Sequence, residues 1–453
     1  MKYVVVGTSH AGYEVIETLL KEDSEAQIEV FESGDKPSFL SCGIQSYLEN
    51  VSPSLDSLHY ATTTSYEKQG VNIHVNTTVV DLDTDNKTIT VEHDGTKEDV
   101  SYDKLFLSPG GSAVKPPITG IDDYNNVFFM RGREWADKIK QRMPHAKKAV
   151  VVGGGYIGIE AAEAFAKAGI ETKIIDVAER ILSTYLDPEF TNILEQNSKQ
   201  HQLEFIGGES VKEITGNDNG DVTTVITDKG EYQADTVLFA VGVAPATSWL
   251  KDKIDLGTKG IITIDHHQQT SAPDVYAGGD ATMVPFAPIE EDRYIALATN
   301  SRRQGVTAAL NMVGKSATMP RVSGTSGLQL FDYKFGQTGV HGTEADNYDG
   351  HLGQQYVEER IRPKFMQDDT TVHMKIIFDK DSHRILGGQV MSTEDVTQAI
   401  NTLSVAISAG FTLEQLAVQD FFFQPDYDRP WHYLNVLAQQ ALGQSYGSDQ
   451  MLF

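Results

Sequence analysis

Apolar runs and glycine-rich turns alternate along the chain and predict two similar units, the first of which begins at the N-terminus. Residues 3–6 form an apolar run typical of a buried strand, and residues 28–31 form a second run that ends at Glu32. A turn with Gly7 and Gly12 follows the first run. The apolar residues after this turn recur at helical spacing: Ala11, Val15, Ile16, Leu19 and Leu20. The pattern predicts a strand, a turn, a helix and a second strand.

The second unit repeats this pattern with a more complete set of glycines. Residues 149–152 form an apolar run, and an alanine-rich helix extends to Lys167. Residues 171–175 form the next predicted strand, which ends at Asp176. The turn before the helix carries three spaced glycines: Gly153, Gly155 and Gly158.

Both units meet the physical requirements of dinucleotide binding. Backbone N–H groups at a helix N-terminus bind a pyrophosphate, and glycines let the backbone approach it closely. An acidic residue at the end of the second strand accepts hydrogen bonds from ribose hydroxyls, a role open to Glu32 and Asp176. Ser9 replaces the middle glycine of the first turn, which weakens that motif. Asp176 would repel a 2′-phosphate and favours NADH over NADPH, while the nearby Arg180 keeps NADPH open.

The rest of the pattern predicts an α/β fold with a separate C-terminal domain. Segments that read as a strand followed by glycine occur at residues 102–110, 235–242 and 274–280. From about residue 321 the pattern changes to alternating strands, at 372–379 and 385–391. A helix follows, with an apolar stripe typical of a core face: Val396, Ala399, Ile400, Leu403, Ala406 and Ile407.

Composition and charge exclude several kinds of partner. The chain has 453 residues, more than one hydrophobic core usually holds, so we expect two or three domains. Its formal charge of −27 repels nucleic-acid phosphates and anionic lipid alike. The N-terminus enters a strand without a signal-peptide pattern, and no apolar run is long enough to cross a membrane. We therefore expect a cytoplasmic protein with no nucleic-acid or membrane partner, and its 13 dispersed histidines predict no metal site.

Cys42 is the only cysteine of the chain, which excludes an internal disulfide. Most unpaired cysteines are small buried apolar residues. Dithiol oxidoreductases carry a second cysteine five positions after the first, and here Tyr47 occupies that position. Redox chemistry at Cys42 would therefore pass through a sulfenic acid or a mixed disulfide with a small molecule. The dinucleotide units on either side favour such chemistry over a purely structural role.

These motifs resemble the flavoprotein disulfide reductases that have two dinucleotide-binding domains. The lone cysteine points to the branch that contains NADH peroxidase, water-forming NADH oxidase and coenzyme A-disulfide reductase. Gln45 and residues 130–136 resemble the peroxidases, whereas residues 429–435 resemble the oxidases at least as much. We therefore expect an NADH peroxidase, with the water-forming oxidase and the coenzyme A-disulfide reductase as alternatives. A flavin-binding protein without turnover is a fourth, which would need Cys42 to be inert.

The resemblance covers the whole chain and implies its cofactors and domains. FAD and NADH would be the cofactors, with hydrogen peroxide or dioxygen as the second substrate. We expect an FAD-binding domain at residues 1–115 and 244–320, an NAD-binding domain at 116–243, and a C-terminal interface domain at 321–453. The fold class is thus two Rossmann-like dinucleotide-binding domains plus a C-terminal α+β dimerisation domain. A homodimer or homotetramer follows from the resemblance alone.

The resemblance also implies roles for individual residues. The Cys42 thiolate would attack peroxide and become a sulfenic acid that reduced flavin returns to the thiolate, with His10 and Arg302 as further catalytic residues. The disulfide reductases use a histidine before a proline as their acid, and here Gln424 precedes Pro425, so His10 is the better candidate. The implied FAD-binding residues are Gly7, Ser9, His10, Ala11, Gly12, Glu32, Cys42, Ser108, Pro109, Gly110, Gly111, Arg131, Asp280 and Ala298. The implied NAD-binding residues are Gly153, Gly155, Tyr156, Ile157, Gly158, Asp176, Tyr185, Gly242, Ala296 and Gly327.

Overall fold

The computed structural model describes residues 1–446, apart from the side chains of residues 345–347. The N-terminal segment contains the strands β1 (Lys2–Val6), β2 (Gln27–Phe31), β3 (Asn72–His74), β4 (Thr78–Asp83), β5 (Thr88–His93), β6 (Thr96–Ser101), β7 (Lys104–Leu107) and β8 (Gly111–Ala113). Its helices are α1 (His10–Glu22), α2 (Ile44–Leu48) and α3 (Thr63–Lys68). A short 3-10 turn, Ser41–Gly43, leads into α2.

The middle of the chain holds a second set of strands. These are β9 (Val127–Phe129), β10 (Lys148–Val152), β11 (Glu171–Ile175), β12 (Leu203–Ile206), β13 (Val211–Gly216), β14 (Val222–Thr227), β15 (Glu231–Gln233), β16 (Thr236–Phe239) and β17 (Val243–Pro245). The helices among them are α4 (Gly132–Arg142), α5 (Tyr156–Lys167) and α6 (Pro188–Gln200). They are followed by β18 (Val275–Ala277), β19 (Val284–Phe286), β20 (Glu291–Arg293) and α7 (Ala298–Met312).

Two parallel sheets contain the two predicted units. Their strand orders are β18-β7-β1-β2-β3 and β12-β11-β10-β16-β9. Each glycine turn follows a central strand, β1 or β10, and both of these strands are almost completely buried. Their uninterrupted valine runs are typical of strands that are covered on both faces. Ligands of such sheets bind beyond the carboxyl ends of the strands, which is where both glycine turns lie.

The antiparallel parts of the two dinucleotide-binding regions were not predicted from the sequence. The strands β4-β5-β6 form one three-stranded sheet and β13-β14-β15 form another. A two-stranded ribbon pairs β8 with β17 and so connects the two regions of the chain. Another ribbon pairs β19 with β20.

The C-terminal segment forms one antiparallel sheet with helices packed on it. Its strands are β21 (Ser326–Leu330), β22 (Tyr333–Gly339), β23 (Leu352–Arg360), β24 (Thr371–Asp379) and β25 (Ile385–Ser392), and its helices are α8 (Gln398–Ser408), α9 (Leu413–Ala417) and α10 (Tyr433–Ala441). The strand order is β21-β22-β25-β24-β23. The predicted helix was wrong at Val396, which precedes α8 but still packs in the same core. Within residues 1–446, no helix is long and apolar enough to cross a membrane.

A buried ion pair joins the C-terminal sheet to the second parallel sheet. Lys375 on β24 is almost fully buried, and its Nζ lies 2.9 Å from Oδ2 of Asp187 and 2.9 Å from Oε1 of Glu189. Asp187 is the residue before α6, and its backbone N–H donates to the side chain of Gln389 on β25. This cluster fixes the start of α6 against the C-terminal sheet.

Replacing Lys375 with methionine is expected to destabilise the fold. The change leaves the buried Asp187 carboxylate without its cation, a loss that typically costs about 3–5 kcal/mol. Urea denaturation followed by circular dichroism measures the shift in midpoint. The control is Lys380→Met, which removes a cation from the exposed turn after β24 and should change stability by less than about 1 kcal/mol. Equal midpoints for the two variants would contradict the structural role of the buried pair.

Candidate active site

The first glycine turn is held in shape by close backbone contacts. Gly7 has a φ of +84°, and a Cβ at this position would lie 2.3 Å from the carbonyl oxygen of Ser108. Oε2 of Glu32 accepts hydrogen bonds from the Thr8 backbone N–H at 3.1 Å and from the Thr8 hydroxyl at 2.5 Å. The other oxygen of Glu32 accepts a hydrogen bond from the N–H of Gly34. The acidic end of β2 therefore closes onto the turn that leads to the N-terminus of α1.

Three separate parts of the chain meet at Asp280. It follows the two glycines after β18, and its Oδ2 lies 3.0 Å from a guanidinium nitrogen of Arg131. Nε of Arg131 donates to the carbonyl oxygen of Gly111 at 2.6 Å. Three of the residues implied as FAD ligands are thus brought together. The glycine turn, the acidic residue at the end of β2 and this second carboxylate fit a flavin dinucleotide.

Cys42 lies in the 3-10 turn just before α2. Its side chain is exposed, yet the surrounding protein is dense enough that burial raises the pKa of its thiol. The carboxylates of Glu160 and Asp280 raise this pKa further, and Arg131 opposes them. The thiol therefore sits in a negatively charged part of the site.

His10 and Arg302, which are distant in sequence, are brought into one cluster. His10 is the first residue of α1, and Arg302 lies on α7, which packs along α1. Arg302 forms an ion pair with Glu14, and its guanidinium lies 4.3 Å from the ring centre of Tyr60. The same Tyr60 ring meets the His10 ring edge-on, at a centroid distance of 5.6 Å.

The surroundings of the His10 ring favour its neutral form. Burial and then the positive charge of Arg302 lower its pKa, against weaker opposing effects of Asp280 and Glu14. The start of a helix disfavours a cation in the same way. Nδ1 of His10 is buried and has no hydrogen-bond partner within the described residues. A bound ligand or an ordered water would satisfy this ring nitrogen.

The second glycine turn has the same architecture. Gly153 has a φ of +109°, and a Cβ there would lie 2.5 Å from the carbonyl oxygen of Ala240. Asp176 accepts hydrogen bonds from the N–H groups of Gly154 at 2.5 Å and Ala178 at 2.9 Å. Arg180 instead donates to the side chain of Asn192 on α6. Asp176 thus binds the backbone of the glycine turn, whereas Arg180 binds Asn192.

Aromatic residues cover the start of α5. The rings of Tyr156 and Tyr185 stack at a centroid distance of 4.0 Å. The Tyr156 hydroxyl lies 2.9 Å from Oγ of Ser326, the first residue of β21, and the predicted residue Gly327 follows it. The C-terminal sheet therefore contributes to the site at the second glycine turn.

The other predicted residues lie at the ends of the same strands and helices. Ser108, Pro109 and Gly110 follow β7, and Gly242 follows β16. Ala11 and Gly12 lie in α1, and Ile157 and Gly158 lie in α5. Ala298 is the first residue of α7, and Ala296 lies two residues before it. Their predicted roles as ligands stay predictions.

Sequence reasoning missed three polar residues of the site. Glu14 lies four positions after His10 on α1, and Glu160 lies four positions after Tyr156 on α5. The signal was a carboxylate one helical turn after each glycine motif, on the same helix face. Tyr60 comes from a loop between two helices, and nothing local in the sequence links it to His10.

The two glycine turns, their acidic partners and the lone thiol are typical of a nicotinamide-linked redox protein. Comparison with known families is consistent with this class. Residues 1–305 match the pyridine nucleotide-disulphide oxidoreductase family, and residues 325–433 match the dimerisation domain of that family. The chain belongs to the pyridine nucleotide-disulphide oxidoreductases. It is therefore an oxidoreductase, and the predicted fold class and the cofactors FAD and NADH are confirmed, while the domain boundaries and the oligomeric state stay predictions.

Individual relatives are similar over almost the whole chain. An NADH oxidase of Enterococcus faecalis is 40% identical over 444 residues, which cover 98% of this chain and 99% of the relative. The solved structure of a water-forming NADH oxidase from Lactobacillus brevis bound to NADH has a TM-score of 0.94 and 38% identity, covering 98% of each chain. A coenzyme A-dependent NAD(P)H sulfur oxidoreductase of Pyrococcus abyssi is 31% identical, covering 96% of this chain and 97% of the relative.

Proposed function

We propose that this chain is a water-forming NADH oxidase, which transfers electrons from NADH through FAD to dioxygen. The observation that carries the proposal is the similarity over nearly the full length to NADH oxidases, including the Lactobacillus brevis enzyme. The peroxidase expected from Gln45 and residues 130–136 has less support, because these relatives carry the name of the alternative. The predicted family is correct, and the oxidase replaces the peroxidase as the preferred activity.

The protein groups that would hold the two dinucleotides follow from the site geometry. The N-terminus of α1 and Glu32 would bind the pyrophosphate and the adenosine ribose of FAD, and Asp280 would bind its ribityl chain. The N-terminus of α5 and Asp176 would do the same for NADH. Bound FAD would supply hydride acceptance from NADH and electron transfer to oxygen.

Cys42 would complete the reduction of dioxygen to water. Two electrons and two protons convert dioxygen to hydrogen peroxide, which the Cys42 thiolate attacks to give a sulfenic acid and hydroxide. A second pair of electrons from NADH, with one proton, returns the sulfenic acid to the thiolate and releases water. Because the chain has one cysteine, the sulfenic acid has no intramolecular thiol with which to form a disulfide.

His10 would hydrogen-bond the oxygen species rather than act as a cationic acid. Its pKa is lowered by burial and by Arg302, and its buried Nδ1 has no partner among the described residues. Arg302 is paired with Glu14 and contacts Tyr60, which in turn contacts the ring of His10. This arrangement makes Arg302 a positioning residue whose charge also adds to the effect of burial in lowering the pKa of the imidazole.

The stoichiometry of the reaction tests the proposal. The purified holoenzyme in air should consume two NADH per dioxygen with no accumulation of peroxide, measured with an oxygen electrode and NADH absorbance. Under nitrogen, added hydrogen peroxide should support slower NADH oxidation than air does. A faster anaerobic rate with peroxide would instead identify a peroxidase. Rapid anaerobic oxidation of NADH by coenzyme A disulfide would favour the third member of the branch.

A further inference from the structure

A fully buried carboxylate lies among apolar side chains beside the helix that follows Cys42. Glu163 on α5 is only 1% exposed. The core around it joins three parts of the chain, because Ile44 of α2, Phe165 of α5 and Phe335 of β22 belong to one hydrophobic cluster. A charged group in such a core costs free energy unless its oxygens are bound by donors. The donors that bind Glu163 therefore have to offset this cost.

Each carboxylate oxygen of Glu163 accepts a hydrogen bond from a different part of the chain. Oε2 accepts from the side-chain amide of Gln45 on α2 at 2.6 Å. Oε1 accepts from the backbone N–H of Phe331 at 2.6 Å and lies 3.0 Å from Nζ of Lys167. Phe331 lies in the turn between β21 and β22. Glu163 thus joins α2, α5 and the C-terminal sheet at one point.

The turn that carries Phe331 is held against α6. Phe331 has a φ of +49°, which is unfavourable for a bulky residue, and its ring stacks on His201 at a centroid distance of 4.3 Å. Oδ2 of Asp332, the next residue, accepts a hydrogen bond from Asn197 at 2.6 Å and lies 3.1 Å from Nε2 of His201. The N–H of Phe331 is therefore a fixed donor for Glu163.

The contact with Gln45 reaches Cys42 through a short stretch of backbone. Cys42 lies three residues before Gln45, in the 3-10 turn Ser41–Gly43 that leads directly into α2. The N–H of Ile44 donates to the carbonyl oxygen of Ser41 and ties the turn to the helix. Because α2 is only five residues long, its position depends on its contacts with the rest of the protein. The contact between Gln45 and Glu163 therefore fixes the place of the thiol.

We propose that Glu163 is a positioning residue that holds the Cys42 thiol where it can react with hydrogen peroxide before the peroxide leaves the site. This role rests on the proposed function, in which peroxide forms first and the thiolate then reduces it. A displacement of about 1 Å can slow such a reaction by about 100-fold, because the reacting atoms are no longer aligned. Peroxide that has not reacted is released. Glu163 thereby controls whether the enzyme produces water or peroxide.

The variant Glu163→Gln in the holoenzyme removes one hydrogen bond with little change in shape. Glutamine has a single oxygen, so its NH2 group must face either the Phe331 N–H or the Gln45 amide. If Gln45 turns its amide over to accept, its oxygen faces the carboxylate of Glu49, to which it now donates at 2.8 Å. With added peroxide, sulfenic acid at Cys42 should form about 10- to 100-fold more slowly. Peroxide should become a major product in air, measured with a peroxide assay.

Two further measurements separate positioning from general damage to the fold. Reduction of the flavin by NADH under nitrogen, followed by stopped-flow absorbance, should keep its wild-type rate, because both glycine turns and their acidic residues are unchanged. A merely structural role of Glu163 would lower the denaturation midpoint and leave water as the product. A lower midpoint with no rise in peroxide overturns the proposal. Equal losses of flavin reduction and of sulfenic acid formation also overturn it.

Gln45→Ala tests the same contact from its other end and replaces Glu163→Gln if that variant does not fold. It should release peroxide as well, and the double variant should be no worse than the more affected single variant, because both changes remove one hydrogen bond. Additive effects would show that the two residues act separately and would overturn the proposal. The control is Glu134→Gln, which also loses a pair with a lysine four residues on, but on an exposed face of α4, and should change neither measurement.

The reaction with added peroxide keeps this test separate from that of the proposed function. If the wild type in air does not form water, the proposed function fails. The rates of sulfenic acid formation in the wild type and in Glu163→Gln still decide whether Glu163 positions the thiol. A wild type whose Cys42 does not react with peroxide overturns both proposals.

Discussion

The Cys42→Ser variant is expected to convert the enzyme from a producer of water into a producer of hydrogen peroxide. A hydroxyl cannot form a sulfenic acid, so the second two-electron reduction has no site. The variant should keep its flavin, which NADH should still reduce, because serine has nearly the shape of cysteine and both glycine turns with their acidic residues are unchanged. In air it should consume one NADH per dioxygen and release nearly all of the oxygen as peroxide. A peroxide assay and the return of oxygen on addition of catalase measure this change.

The matched control for this experiment is the neighbouring Ser41→Ala. It removes a hydroxyl from the same 3-10 turn and should leave water as the product. A reagent specific for sulfenic acids should label the wild type after exposure to peroxide and should not label Cys42→Ser. Undiminished water formation in Cys42→Ser would show that the thiol takes no part in the reaction.

The Asp176→Ala variant is expected to lose most of the preference for NADH over NADPH. In the wild type, the Asp176 carboxylate lies at the second glycine turn, where it would face the 2′-phosphate of NADPH. An unpaired charge clash of a few kcal/mol corresponds to a preference of about 100-fold in kcat/KM. Removing the carboxylate should reduce this ratio to about 10-fold or less. Part of the change should appear as a higher KM for NADH, because the carboxylate also holds the turn.

Arg180→Ala is the control for nucleotide choice. In the sequence, the positive charge of Arg180 kept NADPH binding possible. In the structure, Arg180 donates to Asn192 on α6. Its removal should therefore leave the ratio of the two kcat/KM values within about 2-fold, as expected of an exposed polar contact. Equal rates with NADH and NADPH in the wild type would refute the role of Asp176.

The strands and helices around both glycine turns were predictable because their signals are local. The predicted strand at residues 171–175 coincides with β11, and the predicted acidic residues Glu32 and Asp176 both reach back to their turns. In an α/β protein, a run of valines followed by a glycine turn is typical of a central parallel strand that leads into a helix. The predicted strands of the C-terminal sheet also agree with β24 and β25, because an alternating pattern such as Val372, Met374 and Ile376 is likewise a local signal.

The groups that surround the reacting atoms were harder to predict because they meet across long sequence separations. Tyr60 contacts both His10 and Arg302, and neither contact leaves a pattern near Tyr60. Gln45 donates to Glu49 and also to Glu163, which lies on a helix that the sequence assigned only to NADH. The site residues named from the sequence did not separate a peroxidase from an oxidase, and the support for the oxidase comes from similarity over nearly the whole chain.

The order of strands in the first parallel sheet has a consequence for synthesis on the ribosome. β7 ends at Leu107, and the strand that covers its outer edge, β18, begins at Val275. Translation at about 5–20 residues per second needs on the order of 10 to 30 s to make the intervening stretch. For that time the nascent chain carries a buried-type apolar strand with an unpaired edge, which can pair with other chains. A chaperone that binds unfolded chains should therefore raise the yield of folded protein. It should not change the free energy of unfolding of the finished protein.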